Sequence, residues 1–303
     1  MPLVVTGSVG IDTIHTQSSS AANVLGGSCT YFCAAASLFG PVRMVAAVGD
    51  DFDVRYREQI HAFQGVDARG LEIRPGAKTF RWTGRYHEDV NKRDTIEVHP
   101  GILAQAPPPV PPAFADSQFV FLANTHPANQ AAFLNAFPKR RLTVADTMDL
   151  WITTQRDALD ALLMKVDGLV LNDSESELLT GIPNPVRAAR VIRDQYRLKL
   201  VIIKKGEHGA MLFHELGTAA LPAYPVENVV DPTGAGDSFA GAMMGCLAAA
   251  NRTDFDGIQA ALAYGTVLSS FTVEAFSLDR LRQITIADVH KRMLEFARAV
   301  RVV

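Results

Sequence analysis

The segment DPTGAGDS, Asp231–Ser238, places two carboxylates and two glycines at the predicted start of a helix. The proline and threonine after Asp231 favour a turn, and the glycines let backbone amides approach an anion closely. A helix N-terminus with exposed amides binds phosphate. A carboxylate there repels phosphate unless it serves the acceptor, so Asp237 is best placed to take the proton of a hydroxyl that attacks a phosphoryl group. The amides in question are those of Gly234, Ala235, Gly236 and Asp237.

Three further positions suggest chemistry, and each also has a purely structural explanation. Asp12 follows the first apolar run, and ligands approach the carboxyl ends of parallel strands; the alternative is an ordinary turn aspartate. Gly26 and Gly27 offer bare backbone to a ligand, or simply a tight turn before a helix. Glu175 lies in the predicted first turn of a helix, where a lone glutamate usually stabilises the helix dipole. Taken alone, a Gly-x-Gly-Asp pattern is also typical of a turn that caps a packed helix.

The elements that would position these residues alternate between short apolar runs and helix-like segments. Runs that are apolar on both faces predict buried parallel strands; they are Leu3–Val9, Val42–Val48, Phe119–Leu122, Leu142–Ala145, Gly168–Leu171 and Leu200–Ile203. Helices are predicted at Ser28–Phe39, Phe52–Phe63, Asn129–Phe137, Thr153–Leu163, Val186–Tyr196, Ala235–Ala250, Phe255–Thr272 and Ile286–Val300. This alternation predicts a layered α/β fold with helices on both faces of the sheet.

Residues 78–87, which read KTFRWTGRYH, break the alternation with a period of two. A strand there has an aromatic face, with Phe80, Trp82 and Tyr86, and a basic face, with Arg81, Arg85 and His87. A second short strand, Thr95–Val98, and the proline-rich run Ala106–Pro112 follow. We predict a small β lid inserted into the core, with the prolines as a stiff return segment. The alternative is a hairpin whose aromatic side chains pack on the core.

The composition argues against several classes of protein. The 29 Lys and Arg residues nearly balance the 32 Asp and Glu residues, so we expect no nucleic-acid partner. The three cysteines, Cys29, Cys33 and Cys246, include no CxxC pair, which favours a reducing cytoplasm over a disulfide framework or a four-ligand zinc site. No apolar run reaches the roughly 18 residues that a membrane helix needs, so we expect no membrane partner.

The full string VVDPTGAGDSFAGAMMG, which starts at Val229, resembles the second signature of the ribokinase-like family, also called the PfkB carbohydrate kinase family. Four other segments resemble elements of that family and occur in its order over nearly the whole chain. They are LGGSCTYFCAAASLFG from Leu25, VAAVGDDF from Val45, LNDSESELLTG from Leu171 and VIIKKGEHGAML from Val201. The chain is therefore identified as a member of this family.

The resemblance implies an architecture and a set of ligands. It implies α/β class: a ribokinase-like three-layer α/β/α sandwich with a mainly parallel central sheet and a small inserted β lid. A single kinase domain would cover residues 1–303, with the lid formed by about residues 12–24 and 74–104. The family also implies ATP and Mg²⁺ as ligands, a cytoplasmic location, and a homodimer formed through the lid.

The resemblance also assigns site residues. Asp237 would be the catalytic base, and the amides of Gly234, Ala235, Gly236 and Asp237 would stabilise charge on the transferred group. The substrate-binding candidates are Asp12, Gly26, Gly27, Tyr31 and Asn124. The nucleotide-binding candidates are Asn172, Glu175, Lys204, Gly206, Gly209, Thr233 and Tyr264. Glu175 would hold Mg²⁺ indirectly, and Asp231 is a candidate ligand of a monovalent cation.

Several departures from the family pattern leave the substrate open. Many sugar-binding members have asparagine where this chain has Tyr31, which either faces a larger or flatter substrate or belongs to the core. DTMDLW, Asp146–Trp151, resembles a stretch of ketodeoxygluconate kinases without its arginine. Lys204 stands where threonine is common, and a lysine beside a strand end is more often a solvated charge than a phosphate ligand. Ala275 or Phe276 replaces the usual glycine of a potassium loop, so we do not expect potassium activation.

The leading hypothesis is transfer of the γ-phosphoryl group of ATP to a hydroxyl of a sugar or sugar-like molecule. The second is a nucleoside acceptor, because the aromatic face of the lid could stack on a base. The third is a phosphosugar, whose phosphate would be held by Arg81, Arg85, Lys92 and Arg93. The face that the lid turns to the cleft separates the last two. A nucleotide sensor without catalysis would need a lost base or a broken anion site, and the sequence has neither.

Overall fold

The computed structural model describes residues 1–90 and 92–301. Residues 91, 302 and 303 of the predicted domain, of which residue 91 also belongs to the predicted lid, lie outside the described residues. The helices are α1 (Ser28–Ala36), α2 (Val54–His61), α3 (Pro127–Phe133), α4 (Asp149–Thr154), α5 (Arg156–Leu163), α6 (Asp173–Thr180), α7 (Pro185–Tyr196), α8 (Ala235–Ala250), α9 (Phe255–Thr272) and α10 (Ile286–Ala299). Within the described ranges, no helix combines the length and the apolar character needed to cross a membrane.

The strands form two separate sheets. They are β1 (Leu3–Thr6), β2 (Gly10–His15), β3 (Ser20–Gly26), β4 (Val42–Gly49), β5 (Val66–Arg74), β6 (Phe80–Tyr86), β7 (Arg93–His99), β8 (Phe119–Leu122), β9 (Leu142–Asp146), β10 (Gly168–Asn172), β11 (Leu200–Lys204), β12 (Ala210–His214) and β13 (Gly217–Leu221). The large sheet has the order β13-β12-β11-β10-β9-β8-β1-β4-β5. Its strands pair in parallel from β5 to β11, and β12 and β13 add antiparallel strands at one edge.

Helices cover both faces of the large sheet because its central strands are apolar on both sides. Along β1, Leu3 and Val5 join a buried cluster with residues of α1, α8 and α9, whereas Val4 joins a second cluster with residues of α3, α5 and α7. This alternation is the one expected when successive side chains of a strand point to opposite faces. The result is a helix layer, a sheet and a second helix layer.

The second sheet, called the small sheet below, has the order β3-β2-β6-β7. β2 pairs antiparallel with β3 and parallel with β6, and β6 pairs antiparallel with β7. The small sheet therefore joins two distant parts of the chain, residues 10–26 and 80–99. Both parts overlap the segments predicted as a lid.

The structure confirms the predicted layered α/β fold and corrects three details. All six apolar runs predicted as strands lie in the large sheet. The run Leu3–Val9 is shorter than predicted, because β1 ends at Thr6 and the chain turns into the small sheet. The predicted helix Thr153–Leu163 is two helices, since Gln155 between them has φ −133° and ψ 37° and interrupts the helical backbone. β2, β3 and β5 are strands that the apolar runs do not predict, because these segments lack the long apolar pattern of the other strands.

Candidate active site

Polar side chains meet at the carboxyl ends of neighbouring strands of the large sheet. β9 ends at Asp146, β10 at Asn172 and β11 at Lys204, and Asn124 comes soon after β8. Because these strands are parallel neighbours, their carboxyl ends lie along one edge, where open α/β sheets bind ligands. Lys204 also reaches the first turn of α8, so the Gly-rich loop belongs to the same edge.

The loop before α8 requires glycine at position 234 for two reasons. Gly234 has φ 76°, in the left-handed region that other residues rarely adopt. A Cβ at this position would also lie 2.4 Å from the ring of Tyr31. The amides in the first turn of α8 lack acceptors within the helix and carry its positive dipole end. The amide of Ala235 donates to the carbonyl of Pro232 at 3.2 Å, and the anion-binding role of this turn stays a prediction.

Asp231 is completely buried beside this loop. Its Oδ1 accepts a hydrogen bond from the backbone amide of Thr233 at 2.9 Å, while its Oδ2 has no hydrogen-bond partner among the described residues. Burial raises the pKa of Asp231 to about 6 despite the bonds from Thr233. A buried carboxylate oxygen without a hydrogen-bond partner can bind a cation or a proton. The role of Asp231 toward a monovalent cation stays a prediction.

Asp237 lies in the first turn of α8, next to other charged groups. Burial raises the pKa of its carboxyl to about 7, and the negative charge of Asp146 adds to the shift. The positive charges of Lys204 and Arg93 oppose it. A carboxylate with a pKa near neutrality is well matched to general-base chemistry. The environment of Asp237 therefore suits the role expected from the sequence.

Lys204 is not a solvated charge, contrary to the expectation for its position. Its side chain is only 18% exposed, and its Nζ lies 3.5 Å from Oδ2 of Asp146. A Cβ on Gly236 would lie 2.8 Å from the same Nζ, so the ammonium group rests against bare backbone in α8. Burial lowers the pKa of Lys204, but Asp146, Glu175 and Asp237 raise it overall. The loop thus gains a fixed positive charge.

Asn172 and Glu175 form a capping box at the start of α6. Oδ1 of Asn172 accepts from the amide of Glu175 at 2.7 Å, and Oε2 of Glu175 accepts from the amide of Asn172 at 2.7 Å. Burial raises the pKa of Glu175 to about 7, with Lys204 opposing the shift and Asp146 adding to it. The pair therefore stabilises α6 and also keeps a carboxylate beside Lys204.

Asp12, Gly26 and Gly27, the predicted substrate-binding residues before α1, lie together. A Cβ on Gly26 would lie 1.9 Å from Oδ2 of Asp12, so this glycine makes room for the carboxylate. Gly27 precedes the first turn of α1. Burial raises the pKa of Asp12 to about 8, and the negative charges of Asp231 and Asp237 add to the shift. The carboxyl groups of Asp12, Asp231 and Asp237 therefore lie close enough for their charges to interact.

Tyr31 combines the two alternatives expected for it. The residue is 1% exposed and belongs to the core, but its ring lies directly against Gly234. Its hydroxyl has no hydrogen-bond partner within residues 1–90 and 92–301. Burial raises the pKa of this hydroxyl well above its usual value, and the charges of Asp231 and Asp12 add to the shift. Tyr31 is thus a buried residue that supports the loop. Its hydroxyl lies near Asp231 and Asp12.

Asn124 and the two glycines after β11 also lie at this edge. Oδ1 of Asn124 accepts from Nε1 of Trp151 at 2.7 Å, and its Nδ2 donates to Sδ of Met148 at 2.9 Å. The Asn124 amide therefore has a fixed orientation. Gly206 and Gly209 form the turn between β11 and β12, with φ values of 52° and 90°.

The structure does not bring Tyr264 into this group. Its ring packs against Phe39 at 5.2 Å and His290 at 6.2 Å between ring centroids. α1 begins at the site, and Phe39 lies beyond its far end, roughly 15 Å away at 1.5 Å per helical residue. The position of Tyr264 therefore gives no support to the expected contact with adenine.

One face of the small sheet covers the polar side chains at the strand ends. The hydroxyl of Thr233 donates to the hydroxyl of Tyr86 on β6 at 3.0 Å. In register, Asp12 pairs with Trp82 and Tyr86 pairs with Arg93, and residues paired in this way share a face of the sheet. The aromatic face, together with Arg93, is therefore turned toward the site.

Asp146 joins the site although it is absent from the residues predicted for it, whereas Tyr86 and Arg93 are predicted only as possible contacts of a nucleoside base and of a phosphosugar, respectively. Asp146 ends a predicted strand, so the strand-end argument used for Asp12 would also have found it. Tyr86 and Arg93 lie on the predicted lid, and the sequence contains no signal for which face of the lid meets the core. Only the pairing of the small sheet supplies that information.

The model of the family described as "pfkB family carbohydrate kinase" matches residues 3–281. The chain belongs to this family. It is accordingly a kinase that transfers a phosphoryl group from ATP to a hydroxyl of a small molecule, which confirms the leading prediction at that level.

Similar proteins include kinases of nucleosides. This pfkB family kinase is 31% identical to a cytidine kinase of Thermococcus kodakarensis over 251 residues, which cover 80% of this chain and 87% of the relative. Its fold matches a nucleoside kinase of Burkholderia thailandensis, solved with inosine, with a TM-score of 0.78, 19% identity and coverage of 97% and 98%. It also matches an Escherichia coli ribokinase II, solved with ATP and Mg²⁺, with a TM-score of 0.75, 20% identity and coverage of 97% and 99%. These matches confirm the ribokinase-like fold.

Proposed function

We propose that this pfkB family kinase phosphorylates a hydroxyl on the sugar of a nucleoside. The observation that carries the proposal is the face of the small sheet that covers the site, where Trp82 and Tyr86 lie with Asp12. Aromatic side chains suit a flat, uncharged base, and the two oxygens of Asp12 suit neighbouring sugar hydroxyls. The similarity to a cytidine kinase over 80% of the chain supports the same class of acceptor.

In the proposed reaction Asp237 acts as the catalytic base. It takes the proton of the acceptor hydroxyl, whose oxygen then attacks the γ-phosphorus of ATP. The amides of the first turn of α8 and the ammonium group of Lys204 stabilise the charge on the transferred group. Asp12, with Gly26 beside it, holds the acceptor in position, and Asn124 lies at the same edge.

The residues present fit ATP with magnesium. The first turn of α8 and Lys204 present positive potential to the phosphates, and Asn172, Gly206 and Gly209 border the same edge. The carboxylates of Glu175 and Asp146 are the kind of oxygen group that Mg²⁺ accepts, usually through water and substrate phosphates. When bound, the ion offsets the negative charge of the phosphates. Potassium dependence is not part of the proposal.

The test is a panel of acceptors with ATP and Mg²⁺, read out by release of ADP. Cytidine, uridine, adenosine and inosine are compared with ribose, fructose, myo-inositol and ribose 5-phosphate. We expect kcat/KM for the best nucleoside to exceed that for ribose by at least about tenfold, because a buried base adds binding energy. The Asp237→Asn variant is the control for contaminating kinases. A free sugar as the best acceptor would overturn the nucleoside class, and no turnover despite ATP binding would favour a sensor.

A free sugar is the second candidate, because Asp12 and Gly26 suit sugar hydroxyls whether or not a base is attached. A phosphosugar would meet only part of its predicted basic site, because Arg93 lies on the aromatic face but Arg81 lies on the opposite, basic face of β6. There Arg81 lies 3.6 Å from Asp51 and donates to Oδ1 of Asn23 at 3.2 Å. These contacts engage Arg81 away from the aromatic face.

A further inference from the structure

Arg93, on the edge strand β7, carries a positive charge into the active site from the small sheet. It pairs in register with Tyr86, whose hydroxyl is bonded to Thr233 of the Gly-rich loop. Residues directly opposite each other on antiparallel strands point to the same face. Arg93 therefore lies on the face that covers the loop, with its guanidinium carbon 5.8 Å from the centre of the Trp82 ring.

The charges around Arg93 come from the opposite side of the cleft. Burial lowers the pKa of Arg93, but Tyr86, Asp149 on α4 and Glu175 on α6 raise it overall. In return, its positive charge lowers the pKa of Asp237 and of Glu175. The Arg93 side chain is solvent-exposed on this face, and its charge acts on Asp237 and Glu175 across the cleft.

We propose that Arg93 contacts the phosphoryl group in transfer and stabilises its charge, so that the small sheet delivers a catalytic cation when it covers the site. In that step the acceptor oxygen bonds to the γ-phosphorus. The bond from this phosphorus to the bridging oxygen breaks, and ADP leaves with the electron pair. The acceptor proton goes to Asp237, and Arg93 keeps its own proton throughout. The planar guanidinium offers several donors to phosphate oxygens.

The other arginines near this strand pair do not share the arrangement. Arg81 is engaged with Asp51 and Asn23. Arg85 lies one position before Tyr86 on β6, so its side chain points to the opposite face; like Arg93, it is exposed to solvent. Arg85 is therefore a matched control, with the same charge and the same sheet but the wrong face.

The experiment compares Arg93→Ala, Arg93→Lys and Arg85→Ala in steady-state kinetics. We expect Arg93→Ala to lower kcat by roughly a hundredfold or more, as for removal of one group that stabilises transition-state charge. KM for the acceptor should change by less than about threefold. Arg93→Lys should retain part of the lost activity, added guanidinium ion should restore part of it in Arg93→Ala, and Arg85→Ala should behave as the wild type.

The pH dependence of kcat/KM gives a second readout. Since Arg93 lowers the pKa of Asp237, Arg93→Ala should move the acid limb to higher pH, and Arg85→Ala should not. The proposal is overturned if Arg93→Ala keeps kcat within about threefold of the wild type, or if the loss lies in acceptor KM alone. If Arg93→Ala does not fold, a wild-type kcat for Arg93→Lys also overturns the proposal. The proposal needs only kinase activity, so if the panel selects a free sugar, the test uses that sugar.

Discussion

Asp237 lies among carboxyl groups that each hold their proton more strongly than an isolated aspartate. Burial, with like charges nearby, raises the pKa values to about 8 for Asp12, about 7 for Asp237 and about 7 for Glu175. Lys204 and Arg93 offset part of this repulsion at Asp237. Such an arrangement opposes folding and favours ligands that bring positive charge or hydrogen-bond donors.

Asp237→Asn should therefore lower turnover strongly and stabilise the fold. The folded pKa of about 7 exceeds the ordinary value of 3.8, so the folded state binds the extra proton, and the free energy of unfolding falls as pH rises between these values. At about pH 8, removing the charge should add on the order of 2 kcal/mol in urea unfolding. Turnover should fall by roughly 10²–10⁴-fold with ATP binding retained.

The control for this variant is Asp256→Asn, an exposed aspartate in the first turn of α9. It has the same change in charge and also lies in the first turn of a helix, but it is on the surface, so stability and turnover should barely change. A destabilised Asp237→Asn, or one with near-normal turnover, would contradict the account of Asp237.

At the level of single residues, the sequence predicts groups that belong to a continuous motif better than groups that meet across the cleft. Asp237, Gly234 and Gly236 lie in one short segment, so their local geometry follows from turn and helix rules. Lys204 is either a solvated charge or a nucleotide-binding group on the sequence alone, and the structure places it between Asp146 and the bare backbone of Gly236. That contact depends on how β9, β11 and α8 are arranged, which no local rule determines.

Among the elements, α1 packs against the loop before α8 through the ring of Tyr31. The ring of Tyr31 occupies the space beside Gly234, where a Cβ would lie 2.4 Å from it. A tyrosine on α1 and a glycine before α8 are thus complementary. A larger residue at either position would displace the loop that presents the phosphate-binding amides.

Gly234→Ala should lower the free energy of unfolding by more than backbone strain alone explains. It should also lower the kinase activity strongly. Gly181→Ala is the matched control, because Gly181 has a similar φ of 71° after α6 but nothing within 4 Å of an added Cβ. The control should lose about 1–2 kcal/mol from the left-handed backbone and keep its activity. Gly234→Ala should lose more in urea unfolding, and equal losses in the two variants would rule out the steric role of Tyr31.

The elements that the sequence predicts well are those with a strong apolar pattern. α8 and α9 have the bounds expected from their periodicity, and β8 matches its predicted run. β2, β3 and β5 are partly exposed and mixed in polarity, so their strand character depends on pairing rather than on pattern. The small sheet is the clearest case, because β2 is held by β6, which lies far away in sequence.

On the scale of the whole molecule, the edge of the small sheet is open for association. All residues of β7 are exposed, and Ile96 and Val98 are 50% and 43% exposed. An edge strand with apolar side chains and unpaired backbone groups tends to pair with another strand. We expect a homodimer in which β7 of one copy meets the small sheet of a second copy.

Light scattering at micromolar protein concentrations tests this expectation. Ile96→Lys should shift the dimer toward the monomer, because a charge on the edge strand opposes pairing. Leu216→Lys is the control, since Leu216 is 72% exposed in the turn between β12 and β13, far from β7 in the sheet order. A monomeric wild type, or equal dissociation of both variants, would reject the dimer through β7.

The pairing of Gly10 with Phe80 in the small sheet has a consequence for how the enzyme is made. The intervening chain builds α1, β4, α2 and β5, and contacts of such long sequence separation form slowly because loop closure opposes them. The acceptor surface is therefore assembled late, and Asp237 is synthesised later still. A nascent chain that ends before α8 lacks Asp237 and the first turn of α8, so we expect unfinished copies on the ribosome to consume no ATP.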